Sequence, residues 1–185
     1  MSLVQKYQKS LNEQWCMRFK TKHPDGDGYD GVITHIKPDF IVLREKESFE
    51  FDGVVIFPKK FIASYRDGKY DRCTNQILRE NGAIKKLKTP RWLDSCETIP
   101  QVLATMMQRD IWPAVEIIFN EGRDSDFYLG RITRLDDAQF SIKSYDAAGK
   151  WEKTFKLDYE EIFKIEFDSK YCQYFNAHMK SKGGA

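Results

Sequence analysis

Apolar and polar residues alternate along ten short stretches of this chain. Alternation with a period of two is typical of β-strands that bury one face. Residues typical of tight turns lie between the stretches, as at Asp25–Gly28 and Lys37–Asp39. The pattern predicts five strands in each half of the chain, over residues 15–22, 29–37, 39–46, 49–57, 60–66, 113–120, 127–135, 138–145, 151–157 and 161–167. Five short strands with tight turns bury their apolar faces best by curling into a small barrel.

Helical patterns flank each set of strands. Apolar residues recur at helical spacing before the two sets, over residues 4–15 and 98–110, and after them, over residues 70–77 and 171–178. Thr98 and Gln101 have the spacing of a capping box, in which each side chain accepts a hydrogen bond from the backbone of the other residue. We therefore expect a helix to begin at this point and to join the two sets of strands.

Two segments of the chain match each other. Gly31–Ile36 (GVITHI) corresponds to Gly130–Leu135 (GRITRL), and alternating apolar residues follow both. A glycine at the same place inside the second strand of each copy indicates a sharp bend or a close approach of another backbone. We therefore predict a first barrel repeat over residues 1–80, a basic connector over residues 81–97 and a second barrel repeat over residues 98–185.

A helix followed by five bent strands, with Gly-x-apolar-x-x-apolar-Asp in the second strand and its turn, resembles the Sm-like (SH3-like) small β-barrel superfamily. Gly130–Asp136 fits this first motif, and Gly31–Lys37 fits it with lysine in place of the final aspartate. The second motif of the family, an apolar residue followed by Arg-Gly, is missing from the turns at Phe57–Lys60 and Leu157–Glu160, so the family's RNA-pocket residues are not carried over. The resemblance implies a mainly β fold of two tandem five-stranded barrels, each preceded by a helix and followed by a short helix. It also implies single-stranded RNA as the ligand.

Composition and charge narrow the classes of protein that remain. The 185 residues carry a formal net charge of +2, which is too small to demand a polyanionic partner, and the basic excess lies in the first half and the connector. The four cysteines form no CxxC pair, which argues against a zinc site and against a disulfide framework. We find neither a run of about 18 apolar residues nor a secretory leader, so we expect a cytoplasmic protein without a membrane span.

The connector carries the strongest candidate chemistry for binding nucleic acid. Lys85, Lys86, Lys88 and Arg91 would neutralise phosphates, and Trp92 would stack on a base. The alternative is a solvated connector that its own apolar residues pin to a barrel. The residue types in this segment leave both interpretations open.

The acidic stretch His23–Gly31 (HPDGDGYDG) has some features of a calcium loop. An EF-hand loop needs oxygen ligands at its first, third and fifth positions and a bidentate acid at its last. Asp25 and Asp27 suit the third and fifth positions, but His23 then stands first and Thr34 last. Because threonine cannot supply two oxygens, we interpret the stretch as a hairpin turn between the first two strands and expect no metal site.

No nucleophile motif and no glycine-rich phosphate loop accompanies the three histidines. We therefore expect no catalytic residue, no cofactor and no enzyme. The leading hypothesis is a non-enzymatic binding module for single-stranded RNA. The competing hypothesis is a protein-interaction or scaffold module that uses barrel edges and exposed aromatic residues, without nucleic acid. Open barrel edges would also allow the two tandem copies to pair with each other, or with further copies of the chain as a homo-oligomer.

Overall fold

Within the described residues, ten strands pair antiparallel in one continuous sheet, and four helices accompany it. This computed structural model describes residues 2–23, 28–119 and 124–183. The strands are β1 (Met17–Thr21), β2 (Gly28–Ile36), β3 (Phe40–Glu47), β4 (Glu50–Pro58), β5 (Ile62–Arg66), β6 (Ala114–Phe119), β7 (Asp124–Leu135), β8 (Gln139–Tyr145), β9 (Trp151–Asp158) and β10 (Ile162–Phe167). The helices are α1 (Leu3–Glu13), α2 (Lys69–Glu80), α3 (Ile99–Gln108) and α4 (Lys170–Ser181).

Side chains at the helix starts explain why two of the helices begin where they do. The Ser2 hydroxyl accepts a hydrogen bond from the backbone N–H of Gln5, and the Gln5 side chain accepts one from the backbone N–H of Ser2 at 2.7 Å. Thr98 and Gln101 form the same reciprocal pair at the start of α3, which confirms the predicted capping box. These caps satisfy backbone donors that the first turn of a helix leaves without an internal partner.

The strand order of the sheet is β5-β1-β2-β3-β4-β10-β6-β7-β8-β9. Both halves of the chain therefore contribute their strands in the same order, from the fifth through the first, second and third to the fourth. The halves meet where β4 pairs with β10, a contact of Val54–Ile56 with Ile165–Phe167 that we call the joint. In the described part of the chain, no strand covers the outer side of β5 or of β9, which we call the free edges.

Gly31 in β2 and Gly130 in β7 allow the neighbouring strand to come unusually close. A Cβ atom at Gly31 would collide with the backbone oxygen of Arg44, and one at Gly130 would collide with that of Lys143. Both oxygens belong to the third strand of their half, β3 and β8. The close backbone approach predicted at these two glycines is therefore confirmed.

The two halves share their core across the joint. Phe163 in β10 is fully buried, and its ring lies 5.6 Å from the rings of both Phe57 and Phe61. The His23 ring lies 4.9 Å away and the Tyr29 ring 6.3 Å away. All four neighbours belong to the first half of the chain. Burial of this one ring thus stabilises the contact between the halves, in addition to the backbone hydrogen bonds of the joint.

The structure confirms the mainly β class, and the bounds of the predicted strands agree with the observed ones to within three residues. The sheet is not closed, because β5 and β9 lie at opposite ends of the strand order. It also runs unbroken through the joint. Two tandem five-stranded barrels therefore remain a prediction.

The acidic turn predicted between the first two strands falls on residues 24–27, which lie outside the described residues. The strands on either side of it pair antiparallel, with Lys20 opposite Gly28. In the part of the chain that the structure describes, no helix combines the length and the apolar character needed to cross a membrane.

Candidate nucleic-acid interface

Two buried apolar residues fix the basic connector, residues 81–97, to the rest of the protein. Ile84 packs with Cys16 and Val32 of the first half. Leu93 is fully buried in a core cluster that also contains residues of α3 and β10. Each anchor lies in a short 3-10 turn. The segment between the two anchors is thus held against the fold at both ends.

The predicted cations of the connector are all exposed, at Lys85, Lys86, Lys88 and Arg91. None of these side chains makes an ion pair or a hydrogen bond with another residue among those described. The neighbouring lysine Lys37, in contrast, bonds the Glu97 carboxylate at 2.7 Å. No described carboxylate neutralises these four cations. They are therefore available to the phosphates of a polyanion that follows the connector.

Trp92 is half-buried, and its ring lies 5.5 Å from that of Phe167, the last residue of β10. The indole forms part of the wall of a cavity of about 420 Å³ between the connector, the turn from α3 to β6 and one face of α4. Ile111 and Trp112 contribute further apolar wall. Trp92 therefore forms part of a cavity wall and is not a freely exposed side chain on which a base could stack from either face.

Polar groups around this cavity are bonded to one another. The indole N–H of Trp112 donates to the Asp110 carboxylate at 2.6 Å, and Lys180 donates to the same carboxylate at 2.8 Å. Burial acts to raise the pKa of Asp110, but these two hydrogen bonds and the positive charges of Lys180 and Arg131 together outweigh it and leave that pKa below its ordinary value. The Asn176 amide donates to the carbonyl of Trp112 at 2.7 Å. The polar groups at the rim thus already have hydrogen-bond partners within the protein. A ligand in the cavity would mainly contact its apolar walls.

Lys86 borders a second cavity, of about 290 Å³, together with Arg44 and Phe51. The predicted site residues are therefore not gathered at one place, since Lys86 lies at this cavity and Trp92 at the other. Lys88 lies between them along the chain. The arrangement suits an extended ligand that follows the connector better than a compact one.

A second charged cluster, which the sequence patterns do not reveal, lies beside the joint. Glu116 in β6 pairs with His23 at 2.7 Å and with Lys164 of β10 at 3.3 Å. Lys164 also donates to the Tyr29 hydroxyl at 3.3 Å. Burial acts to lower the pKa of Lys164, but Tyr29, Glu116 and Glu166 outweigh it and raise that pKa above its ordinary value. A charged ammonium therefore links β10 to residues of the first half.

Glu45 in β3 adds an unusual titrating group to this region. Burial, reinforced by the negative charge of Glu166, raises the pKa of Glu45 to about 7, although Lys164 acts in the opposite direction. In the sequence, Glu45 stands in an alternating strand like any solvent-facing residue, so no pattern could have singled it out. Two of the charges that act on its pKa, those of Glu166 and Lys164, belong to β10, which only the fold brings close to it.

Comparison of the chain with protein-family models, with curated proteins and with solved structures finds no match to any of them. The features of this chain that bear on its function are the connector cations, the cavity behind Trp92 and the order of the strands.

Proposed function

We propose that this protein is a non-enzymatic binding module that holds single-stranded RNA along its basic connector. The observation that carries the proposal is the set of four exposed connector cations, none of which is paired with a described residue. Because Ile84 and Leu93 anchor the segment on both sides, these cations are presented at fixed places instead of on a loose chain. Pre-positioned cations bind phosphates without a large loss of conformational entropy.

The proposal includes the architecture implied by the sequence motif, two tandem Sm-like (SH3-like) units. The identical strand order of the two halves supports it. The close-approach glycines support it as well, since Gly31 and Gly130 meet the third strand of their own half in the same way. The connector then lies between the units, in contact with side chains from both halves.

Salt dependence provides the first test. Each phosphate contact to a single strand contributes about −0.7 to the slope of log K against log salt, so four contacts predict roughly a 50-fold loss of affinity between 50 and 200 mM salt. Fluorescence anisotropy of a labelled, mixed-sequence RNA of about 12 nucleotides measures this slope.

A variant with alanine at all four connector cations should lose most of the binding and most of the slope. Its control removes the same charge from exposed cations elsewhere, as Arg72→Ala, Lys150→Ala, Lys170→Ala and Lys182→Ala together. That control should bind RNA within about twofold of the wild type, since a net charge effect is weak when screened. Absence of binding by the wild type at 50 mM salt, or an equal loss in both variants, would exclude the connector as the RNA site.

A protein-interaction module is the second candidate, and the free edges favour it. The joint pairs a fourth strand with a fifth strand, and the remaining fourth and fifth strands, β9 and β5, are left uncovered in the described chain. A strand from a partner, including β5 of another copy, would satisfy the backbone groups of β9.

Sedimentation equilibrium over a range of concentrations tests self-association. Lys153→Glu with Lys156→Glu on β9 should weaken it, and Lys69→Glu with Arg72→Glu on α2 should not.

A further inference from the structure

The cavity behind Trp92 lies where a nucleic-acid strand on the connector would have to pass. Pro90 and Trp92 both line it, and they flank Arg91, one of the exposed cations. A phosphate held by Arg91 would therefore leave its own nucleotide next to the cavity mouth. The two features are adjacent in the chain, so no rearrangement of the fold is needed to use them together.

The chemistry of the cavity suits a flat aromatic ring. Its walls include the half-buried indole of Trp92 and the small exposed parts of the buried rings of Trp112 and Phe167. The Lys180 ammonium lies over the Trp112 ring at 4.7 Å, so Trp92 is the ring on which a base would stack. The volume of about 420 Å³ lies within the range of roughly 300–1,000 Å³ that is usual for ligand pockets. The rim polar groups are already bonded to one another, so stacking and apolar contact would supply the binding energy. Stacking on aromatic side chains holds unpaired bases without regard to their identity.

We infer that this cavity is a nucleobase pocket, which takes one unstacked base of the strand whose phosphates lie on the connector. The inference rests on the proposed RNA binding and adds to it a specific place for a base. It assigns Lys88 and Arg91 to the backbone of the strand and Trp92 to the base. The pocket adds affinity for chains that carry bases, and it adds nothing to the salt dependence.

A filled cavity provides the test. Ala177 is exposed on the face of α4 that lines the cavity, so Ala177→Phe places a ring in the pocket without removing a core contact. Ala148→Phe makes the same change at an exposed turn outside the pocket and is the control. The two probes are a labelled single-stranded RNA and an abasic phosphodiester chain of the same length and label. Circular dichroism establishes that both variants are folded.

The wild type and Ala148→Phe should bind the RNA at least about fivefold more tightly than the abasic chain, because stacking a base contributes about this much or more. Ala177→Phe should bind the two chains almost equally, with an unchanged slope of log K against log salt, because the phosphate contacts remain. If Ala177→Phe keeps the full preference for the RNA, the pocket is excluded while RNA binding by the connector stands. If the wild type binds no RNA at low salt, the proposed function fails and the pocket fails with it.

Discussion

The joint and the free edges use corresponding strands in opposite ways. β4 and β9 are the fourth strands of their halves, yet β10 covers β4 whereas β9 ends the sheet. The joint residues Val54–Ile56 are apolar and fully buried, whereas β9 exposes Glu152, Lys153 and Lys156. Charged side chains on an edge strand oppose unspecific pairing with other strands. The same backbone position is thus paired among apolar residues in one half and left uncovered beside charged residues in the other.

This difference shows that backbone pairing alone does not hold the halves together. At the joint, the Phe163 ring enters the core of the first half and Lys164 forms ionic and hydrogen-bonded contacts beside it. In the described chain, no side chain packs against the outer side of β9 as Phe163 packs at the joint. We therefore expect changes at the joint to affect stability more than matched changes at a free edge.

Loss of the Phe163 ring should have the largest effect. Phe163→Ala leaves a cavity among four rings of the other half and should lower the free energy of unfolding by about 3–5 kcal/mol. Phe155→Ala removes a half-buried ring from β9 and should lower it by only about 1–2 kcal/mol. Chemical denaturation followed by circular dichroism measures both changes. Equal losses at the two positions would contradict the distinction between joint and edge.

Alanine at the close-approach glycines tests whether the two halves are built alike away from the joint. Gly31→Ala and Gly130→Ala each press a methyl group against a backbone oxygen of the next strand, and each should lower the free energy of unfolding by about 1–3 kcal/mol. Gly68→Ala is the control, because a Cβ atom there would meet Asp71 at an ordinary 3.6 Å. That control should cost less than about 1 kcal/mol. A loss at only one of the two strand glycines would show that the halves differ in packing at this place.

Local structure, and the possibility that the two halves pair, could be predicted from the sequence, whereas the strands that form the joint could not. Alternation and turn residues act between neighbours in the chain, and β3 accordingly lies at Phe40–Glu47 where residues 39–46 were expected. The pairing of Ile56 with Ile165 joins residues far apart in the chain. Nothing in the pattern of either strand specifies its partner, since any apolar strand of suitable register would satisfy the same backbone groups.

The candidate site likewise combines features that the sequence predicts with features that only the fold creates. Exposure of the connector cations follows from their charge, because an unpaired lysine is rarely buried. Lys164, in contrast, is a lysine in an alternating strand, which predicts a solvent-facing residue. Its side chain is nevertheless largely buried, in contact with Tyr29 and Glu116. The cavity behind Trp92 likewise needs α4 and the turn before β6, which the sequence places far from the connector.

The raised pKa of Glu45 predicts that the stability of the protein depends on pH. Burial raises its pKa from 4.5 to about 7, so between these values the folded state binds a proton that the unfolded state releases. The free energy of unfolding contributed by this group therefore falls as pH rises from about 4.5 to about 7, and stays low above it. Glu45→Gln cannot ionise and should be more stable than the wild type at pH 8 by roughly 1–2 kcal/mol, with little difference at pH 4.

Denaturation curves at pH 4, 6 and 8 measure this difference. Glu47→Gln is the control, because Glu47 is exposed in the same strand. It should follow the wild type at all three pH values. A stability difference between Glu45→Gln and the wild type that does not change with pH would show that the carboxyl group does not titrate in this range.

The smallest effect is expected at the surface contact between the halves. Lys60 and Glu160 lie in corresponding turns after β4 and β9, and their side chains bond at 2.7 Å although both are exposed. Exposed ion pairs contribute about 0.2–1 kcal/mol, because solvent and salt screen them. A double-mutant cycle with Lys60→Ala and Glu160→Ala should give a coupling energy in this range at low salt and close to zero at 1 M salt. A larger coupling that persists at high salt would mean that the contact between the halves extends from the joint to the surface of the protein.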